Sequence, residues 1–219
     1  MLHLPPKYLS FADFTGEAAF AVIMVIIING EVALSNLNSG FLYIVMANLG
    51  ACLAWGVIDG LIYAFSGSIE RNEVRNKLLA LKASAKSTDA VRAVEAELDD
   101  TFVDAFTKEG KEAIARDIVH HVPDASLGRA QVFCRKDWMG MISIVGIYLS
   151  VGFLLSLPFL LLPDKVTAWF ISNGFGVAWL FWYGTLLGRL AGKNGWLLGA
   201  LLASTAIVIL TLSYFAFGR

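Results

Sequence analysis

The sequence predicts an all-α polytopic membrane protein with five transmembrane helices and a cytoplasmic helical module between the second and third. Three observations carry this. Of the 219 residues, 57% are hydrophobic and only 16% charged, where a soluble domain carries about a quarter charged residues. The apolar residues fall into runs of membrane-spanning length, ~20 residues each. One long polar insert, residues 67–138, holds twelve of the seventeen lysines and arginines. The chain therefore divides into 1–66 (lead-in and two spans), 67–138 (module) and 139–219 (three spans).

Ser10 and Thr15 are candidate caps for the first helix. Residues 18–28 are wholly apolar, and with Asn29, Gly30 and Glu31 interrupting, 16–36 is just long enough to span. A turn is expected over 35–40. The second span covers 41–65, broken only by Asn48 and Asp59. In the insert, a helix is expected over 70–86 with Val74, Leu78 and Leu81 on one stripe. A second starts at Asp89 and carries Val91, Val94, Leu98, Phe102 and Phe106 at helical spacing. Gly110 is expected to separate a third, with Ala113, Ile114 and Ile118, ended by Pro123. Residues 139–162 form the third span, 166–187 the aromatic-rich fourth and 195–217 the fifth.

A net charge of −1 excludes a strongly basic nucleic-acid binder, which needs a Lys/Arg excess to neutralise phosphates. Two cysteines, Cys52 and Cys134, give no disulfide framework. The two prolines before Lys7 and the missing small-residue cleavage site argue against a secretory signal, so the first apolar run is read as an anchor. Lysine and arginine concentrate in the insert and, as Arg189 and Lys193, in the turn between spans four and five. The positive-inside rule puts that side and the N-terminus in the cytosol, and the C-terminus outside or in a lumen.

Ionisable residues inside spans are functional candidates, because one at a helix centre costs at least ~2.5–3.5 kcal/mol. Glu31 lies ~20 Å along its helix at ~1.5 Å per residue, and Asn48 on the descending second span reaches a similar depth. Asn29, Glu31 and Asn48 could form one oxygen-rich cluster for a hard or borderline cation. Asp59 lies nearer the cytoplasmic end. Both acids have interfacial readings as well. In the insert, Glu70/Glu73 and Glu109/Glu112 are spaced to share helix faces and ligate a divalent ion. His120, His121 and Asp124 offer imidazole and carboxylate for iron, manganese or zinc, although adjacent helical histidines point ~100° apart. Glu95, Glu97, Asp99, Asp100 and Asp104 add acid, which a solvated, salt-bridged surface also explains. Glycines 140, 146, 152, 174, 176, 184, 188 and 199 suit close helix packing, within a protomer or across a dimer. No soluble-enzyme motif is present, and no catalytic pair converges.

The layout of two spans, a three-helix acidic module and three spans resembles the vacuolar iron transporter family and its wider superfamily. The stretch Ala96-Glu97-Leu98 through Phe106, Gly110, Ala113, Ala115-Arg116 and Val119 resembles that family's second and third module helices. Gly184, Gly188-Arg189-Leu190, Gly192, Trp196 and Gly199 resemble its connection between the last two spans. Glu70 and Glu73 match its first Glu-x-x-Glu, while Leu81 and Ser84 stand where a second is expected. Asn29-Gly30 replaces its first-span Asp-Gly, and Asp59 takes the place of its second-span acid. His120-His121 with Asp124 aligns with its paired methionines before an acid. The resemblance implies a homodimeric, proton-coupled exporter of cytosolic Fe²⁺ or Mn²⁺, the metal being cargo rather than a resident cofactor. The alternative is a non-transporting structural or regulatory protein on the same scaffold, binding a partner chain through its module.

Overall fold

A computed structural model describes residues 8–35, 40–84, 88–99, 101–122 and 132–217. Among these, all regular structure is helical: α1 (Phe11–Ser35), α2 (Phe41–Ser84), α3 (Thr88–Leu98), a 3-10 turn (Phe102–Ala105), α4 (Lys108–His121), α5 (Arg135–Leu161), α6 (Lys165–Leu190) and α7 (Gly195–Phe217). Most of the expected turn at 35–40, the stop at Pro123, and Asp100 and Asp124 lie outside the described residues. The chain forms two compact units, Met1–Ala64 with Arg135–Arg219, and Phe65–Cys134.

Among the described residues, four helices are long and apolar enough to cross a membrane, over Phe11–Glu31, Phe41–Ala83, Arg135–Leu161 and Gly195–Ser213. They mark a helical integral membrane protein. The expected fourth span, 166–187, falls within α6, a helix of 26 residues. Its Ser172-Asn173 pair, three tryptophans and Tyr183 make it less apolar than the other four.

Local chemistry sets the helix ends. Ser10 and Asp13 form a reciprocal cap on α1: the Asp13 amide donates to Ser10 Oγ at 3.0 Å and the Ser10 amide to Asp13 Oδ2 at 3.1 Å, tying down two otherwise unpaired donors. Thr15, the other candidate cap, instead bonds back to the Phe11 carbonyl inside the helix. Asp164 caps α6, and bonds from the Thr167 hydroxyl and amide hold its carboxyl below the usual range.

In the first unit, α1 packs against α5, α6 and α7. Ala21, Val25 and Ile26 of α1 are buried against Ile144 and Tyr148 of α5, Leu180 of α6 and Ala206 of α7. Apolar side chains also point outward, among them Phe20, Met46, Ile62, Phe153, Ile207 and Leu212. Helices apolar on every face suit a lipid surround. The closest approach joins α6 to α7. A Cβ on Gly184 would lie 2.8 Å from Gly199 Cα, and one on Gly188 2.5 Å from Gly195 Cα. Gly192, at φ +65°, makes the turn between them, a left-handed conformation that glycine adopts without strain. Gly140, Gly152 and Gly176 likewise face Tyr63, Cys52 and Ile26, whereas Gly146 and Gly174 face open space.

In the second unit, three boundaries differ from expectation. α2 runs unbroken for 44 residues, from apolar sequence into charged sequence. A change of composition does not stop a helix; between residues 65 and 84 there is no proline, and Glu, Arg, Leu, Ala and Lys are all good helix formers. The second module helix ends at Leu98 rather than running through Phe106, because Thr101 caps a 3-10 turn. Phe102 is left 82% exposed and Phe106 54%. Gly110 lies inside the first turn of α4, its amide bonded to the Thr107 cap.

Ala90 and Val94 of α3 and Ala115 and Val119 of α4 form this unit's small core, flanked by Leu81, Val91, Leu98 and Ile118. Around it, Lys77 pairs with Glu97 at 2.9 Å and Glu73 at 3.4 Å, and Lys111 pairs with both Asp104 and Asp99. Hydrogen bonds from Lys111 to Asp104 and Asp99 raise its pKa. A raised lysine pKa stabilises the folded state fully below the unfolded value, ~10.4, and the contribution is lost as pH climbs through the raised value. Exposed pairs of this kind contribute little each and are screened by salt. Lys111→Met is therefore expected to lower the unfolding midpoint slightly at neutral pH, with the deficit shrinking in high salt and at strongly alkaline pH. Thermal melts of both proteins across salt and pH check this.

Candidate functional site

The first unit contains two polar layers. The first joins four helices: Asn29 of α1, Asn48 of α2, Ser156 of α5, and Ser172 and Asn173 of α6 are all buried, the most exposed at 2%. Asn48 Nδ2 donates to Asn29 Oδ1 at 2.8 Å and to Ser156 Oγ at 3.1 Å. Asn29 Nδ2 donates to Ser172 Oγ at 2.9 Å and reaches Asn173 Oδ1 at 3.5 Å. Ser172 Oγ donates to the Leu155 carbonyl at 2.6 Å, and Asn173 Nδ2 donates to the Trp169 carbonyl at 3.0 Å. The Trp169 indole closes the layer on the Asn29 carbonyl at 3.1 Å. Asn48 Oδ1 is buried without a bonding partner. It is the layer's one unspent side-chain carbonyl among the described residues.

Hydrogen-bonded amides and hydroxyls hold helices together where no hydrophobic force does, at ~0.6 kcal/mol per pair on average and up to ~1.7. Their oxygens also suit a hard cation or water. The layer carries no charge of its own.

The second layer is acidic. The Tyr148 side chain of α5 is wholly buried, and its hydroxyl donates to Asp59 Oδ2 of α2. The Glu17 carboxyl of α1 lies near both Asp59 and Tyr148. Glu17 and Asp59 are both half-buried. Asp59 lies eleven residues beyond Asn48, which at ~100° per residue returns it to within ~20° of the same stripe, ~16 Å along α2. Twelve residues, ~18 Å, separate Glu17 from Asn29 on α1. The band between the layers is apolar and tightly packed, with Val22, Val25, Cys52 and Leu155 buried. Gly152 abuts the Cys52 sulfur, and Gly176 abuts Ile26.

Of the residues expected at a transport path, Asn29 and Asn48 meet as anticipated. Asp59 joins Tyr148. Glu31 does not join the cluster and is exposed. Two residues beyond Asn29 is ~200° around a helix, so burying Asn29 turns Glu31 outward.

The module candidates do not converge. Glu70, Glu73 and Glu109 are exposed; Glu73 is engaged by Lys77 and Glu112 by Arg116. The His120 and His121 rings lie 5.1 Å apart with planes at 89°. His121 Nδ1 contacts the Asp117 carbonyl at 2.9 Å. Among the described residues no group of three or more His, Cys, Asp or Glu side chains gathers to hold a metal.

Glu17, Tyr148, Ser156, Ser172 and Asn173 did not emerge from the sequence. Ser172-Asn173 was visible as a polar pair in an apolar run, and Glu17 as an acid at a span's start. Nothing in the order of residues marks Tyr148. Comparison with known protein families, with curated proteins and with solved structures returns no match for this chain.

Proposed function

We propose that this protein is a transporter that moves a divalent transition metal, Fe²⁺ or Mn²⁺, out of the cytosol in exchange for protons. The observation that carries this reading is the buried Tyr148 hydroxyl donating to Asp59 of another helix, with the Glu17 carboxyl of a third helix nearby, within otherwise apolar helices. Acids placed so cost several kcal/mol in a bilayer and mark ion or proton routes by default. They supply the negative charge that a cation entering the bundle requires. The neutral layer, with its free Asn48 oxygen, supplies a second station ~16 Å further along α2. The packed band between the layers corresponds to a closed path.

In this reading α6 is also a span, the fourth of five. Its 26 residues rise ~39 Å, enough to cross a bilayer, and its glycine seam with α7 suits the close helix contacts of membranes. Residues 67–138 and the N-terminus face the cytosol on the positive-inside rule, and the protein is a homodimer by its resemblance to the vacuolar iron transporters. The module's acids are nearly balanced by its lysines and arginines and serve as a solvated, salt-bridged surface rather than as a ligand set.

A second reading, a non-transporting scaffold, is favoured by one observation. Asn29, Ser172 and Asn173 are spent on one another and on nearby carbonyls, as structural glue would be. Proteoliposomes holding the purified protein separate the two. Uptake of Fe²⁺, Mn²⁺ or Zn²⁺ above that of protein-free liposomes is expected; no flux of any of the three would favour the scaffold.

A further inference from the structure

We propose that the groove between α6 and α7 binds one hydrocarbon chain of a membrane lipid. The two helices touch backbone to backbone where Gly184 meets Gly199 and Gly188 meets Gly195. Asn173 and Val177 lie eleven and seven residues before Gly184, and Leu210 eleven after Gly199, each within ~20° of the same stripe. Side chains therefore stand where the seam has glycine, and the helices part. Here α1 bears on both, through Ile26 against Gly176 and Gly30 against Ser213. What is left between them is a groove of about 450 Å³, with Phe170, Gly174 and Val177 on one wall and Ile207 and Leu210 on the other. Nothing lies within 4 Å of a Cβ added to Gly174.

Two features select the occupant. The polar side chains at the groove already bond within the protein. The Trp169 indole donates to the Asn29 carbonyl at 3.1 Å, the Asn173 amide to the Trp169 carbonyl at 3.0 Å and the Thr211 hydroxyl to the Ile207 carbonyl at 2.7 Å. An occupant meets apolar walls and polar groups that are already partnered, which suits hydrocarbon. The groove is also narrow. Its α6 wall, 169–177, rises ~12 Å, so its volume gives a mean cross-section of ~40 Å², about half that of an α-helix ~10 Å across. A helix from a second copy is too wide to enter, whereas an extended chain fits. Trp169 and Asn173 both hold Asn29, so a chain packed over them braces the neutral layer from the lipid side. The inference rests on the reading of α6 as a span and holds whatever cargo the protein carries.

Photo-crosslinking of the full chain in phosphatidylcholine nanodiscs, with a diazirine in the lipid's acyl chain and adducts mapped by mass spectrometry, tests it. Wild type is expected to label several-fold more at 170–177 and 207–211 than at Phe153 and Leu154, which are exposed on α5. Gly174→Leu places its side chain in the open space, so it should abolish that excess and keep the wild-type melting temperature. Ile207→Trp fills the groove from the other wall and should abolish the excess as well. Labelling in the groove no stronger than at Phe153, or an excess that survives both substitutions, overturns the proposal. So does a Gly174→Leu protein that loses the excess and halves its assembled mass, which would make the occupant a second copy. Failure of the underlying reading looks different: α6 would then go unlabelled even at the exposed Phe175 and Trp182.

Discussion

Gly188→Leu is expected to force α6 away from α7 and to destabilise the bundle by ~3 kcal/mol or more. Overpacking in a filled interior typically costs ~1–3 kcal/mol, and that range assumes neighbours able to give way. Here even a Cβ would meet backbone, at 2.5 Å from Gly195 Cα and 3.0 Å from Gly195 N. Backbone has no alternative rotamer to adopt, and here it is the first residue of α7 against the last turn of α6. On the scale of ~2–4 °C per kcal/mol for a chain of this size, the melting temperature in detergent should fall by ~6–12 °C. Gly146→Ala is the control. Nothing lies within 4 Å of its new methyl group, and removing a glycine from a helix gains ~0.5–1 kcal/mol. Equal effects from the two substitutions would show that the seam does not hold α6 to α7.

Asn29→Ala should be the most damaging change in the neutral layer. Its amide is the node through which α1 reaches both α2 and α6, and removing one partner from a buried polar network costs ~1–3 kcal/mol per group left short. The loss is limited because Asn48 keeps Ser156 and Ser172 keeps the Leu155 carbonyl. A total near ~2–3 kcal/mol is expected. A double-mutant cycle with Asn48→Ala should give a coupling of ~0.6–1.7 kcal/mol, the range for hydrogen bonds between membrane helices. Glu31→Ala, two residues away on the exposed face, should cost clearly less than Asn29→Ala. If Glu31→Ala matches Asn29→Ala, the facing of α1 is incorrect.

How far the fold was legible depends on which physical rule governs each feature. Helical rise is nearly constant, so counting along two antiparallel helices brought Asn29 and Asn48 to one depth, and the structure bonds them at 2.8 Å. Rotation is equally constant, and it excludes Glu31 from the face that Asn29 occupies; depth alone was an insufficient guide. The partners contributed by α5 and α6 are a different matter. Ser156, Ser172 and Asn173 are brought in by tertiary packing at separations above a hundred residues from Asn29 and Asn48, in Ser156's case 108, and Tyr148 at 89 from Asp59. Local sequence holds no record of such distances.

In the module, the shift from apolar to charged residues was read as a boundary, although helix termination needs a cap, a glycine or a proline rather than a change of polarity. Phe102 and Phe106 fit a helical period, yet the Thr101 side chain accepting from the Val103 amide favours a 3-10 turn. Periodicity and capping conflict there, and capping prevails. The acids of the module read equally well as ligands or as a solvated surface. Pairing of Glu73, Glu97, Asp99, Asp104 and Glu112 with lysine or arginine supports the surface reading for those five.

Mn²⁺ uptake into proteoliposomes under an imposed proton gradient, measured for wild type, Glu31→Gln and the Glu17→Gln/Asp59→Asn double variant, bears most directly on transport through the acidic layer. Uptake by wild type and Glu31→Gln at matching rates, with the double variant reduced to the level of protein-free liposomes, is the expected result. Wild-type uptake by the double variant would contradict it.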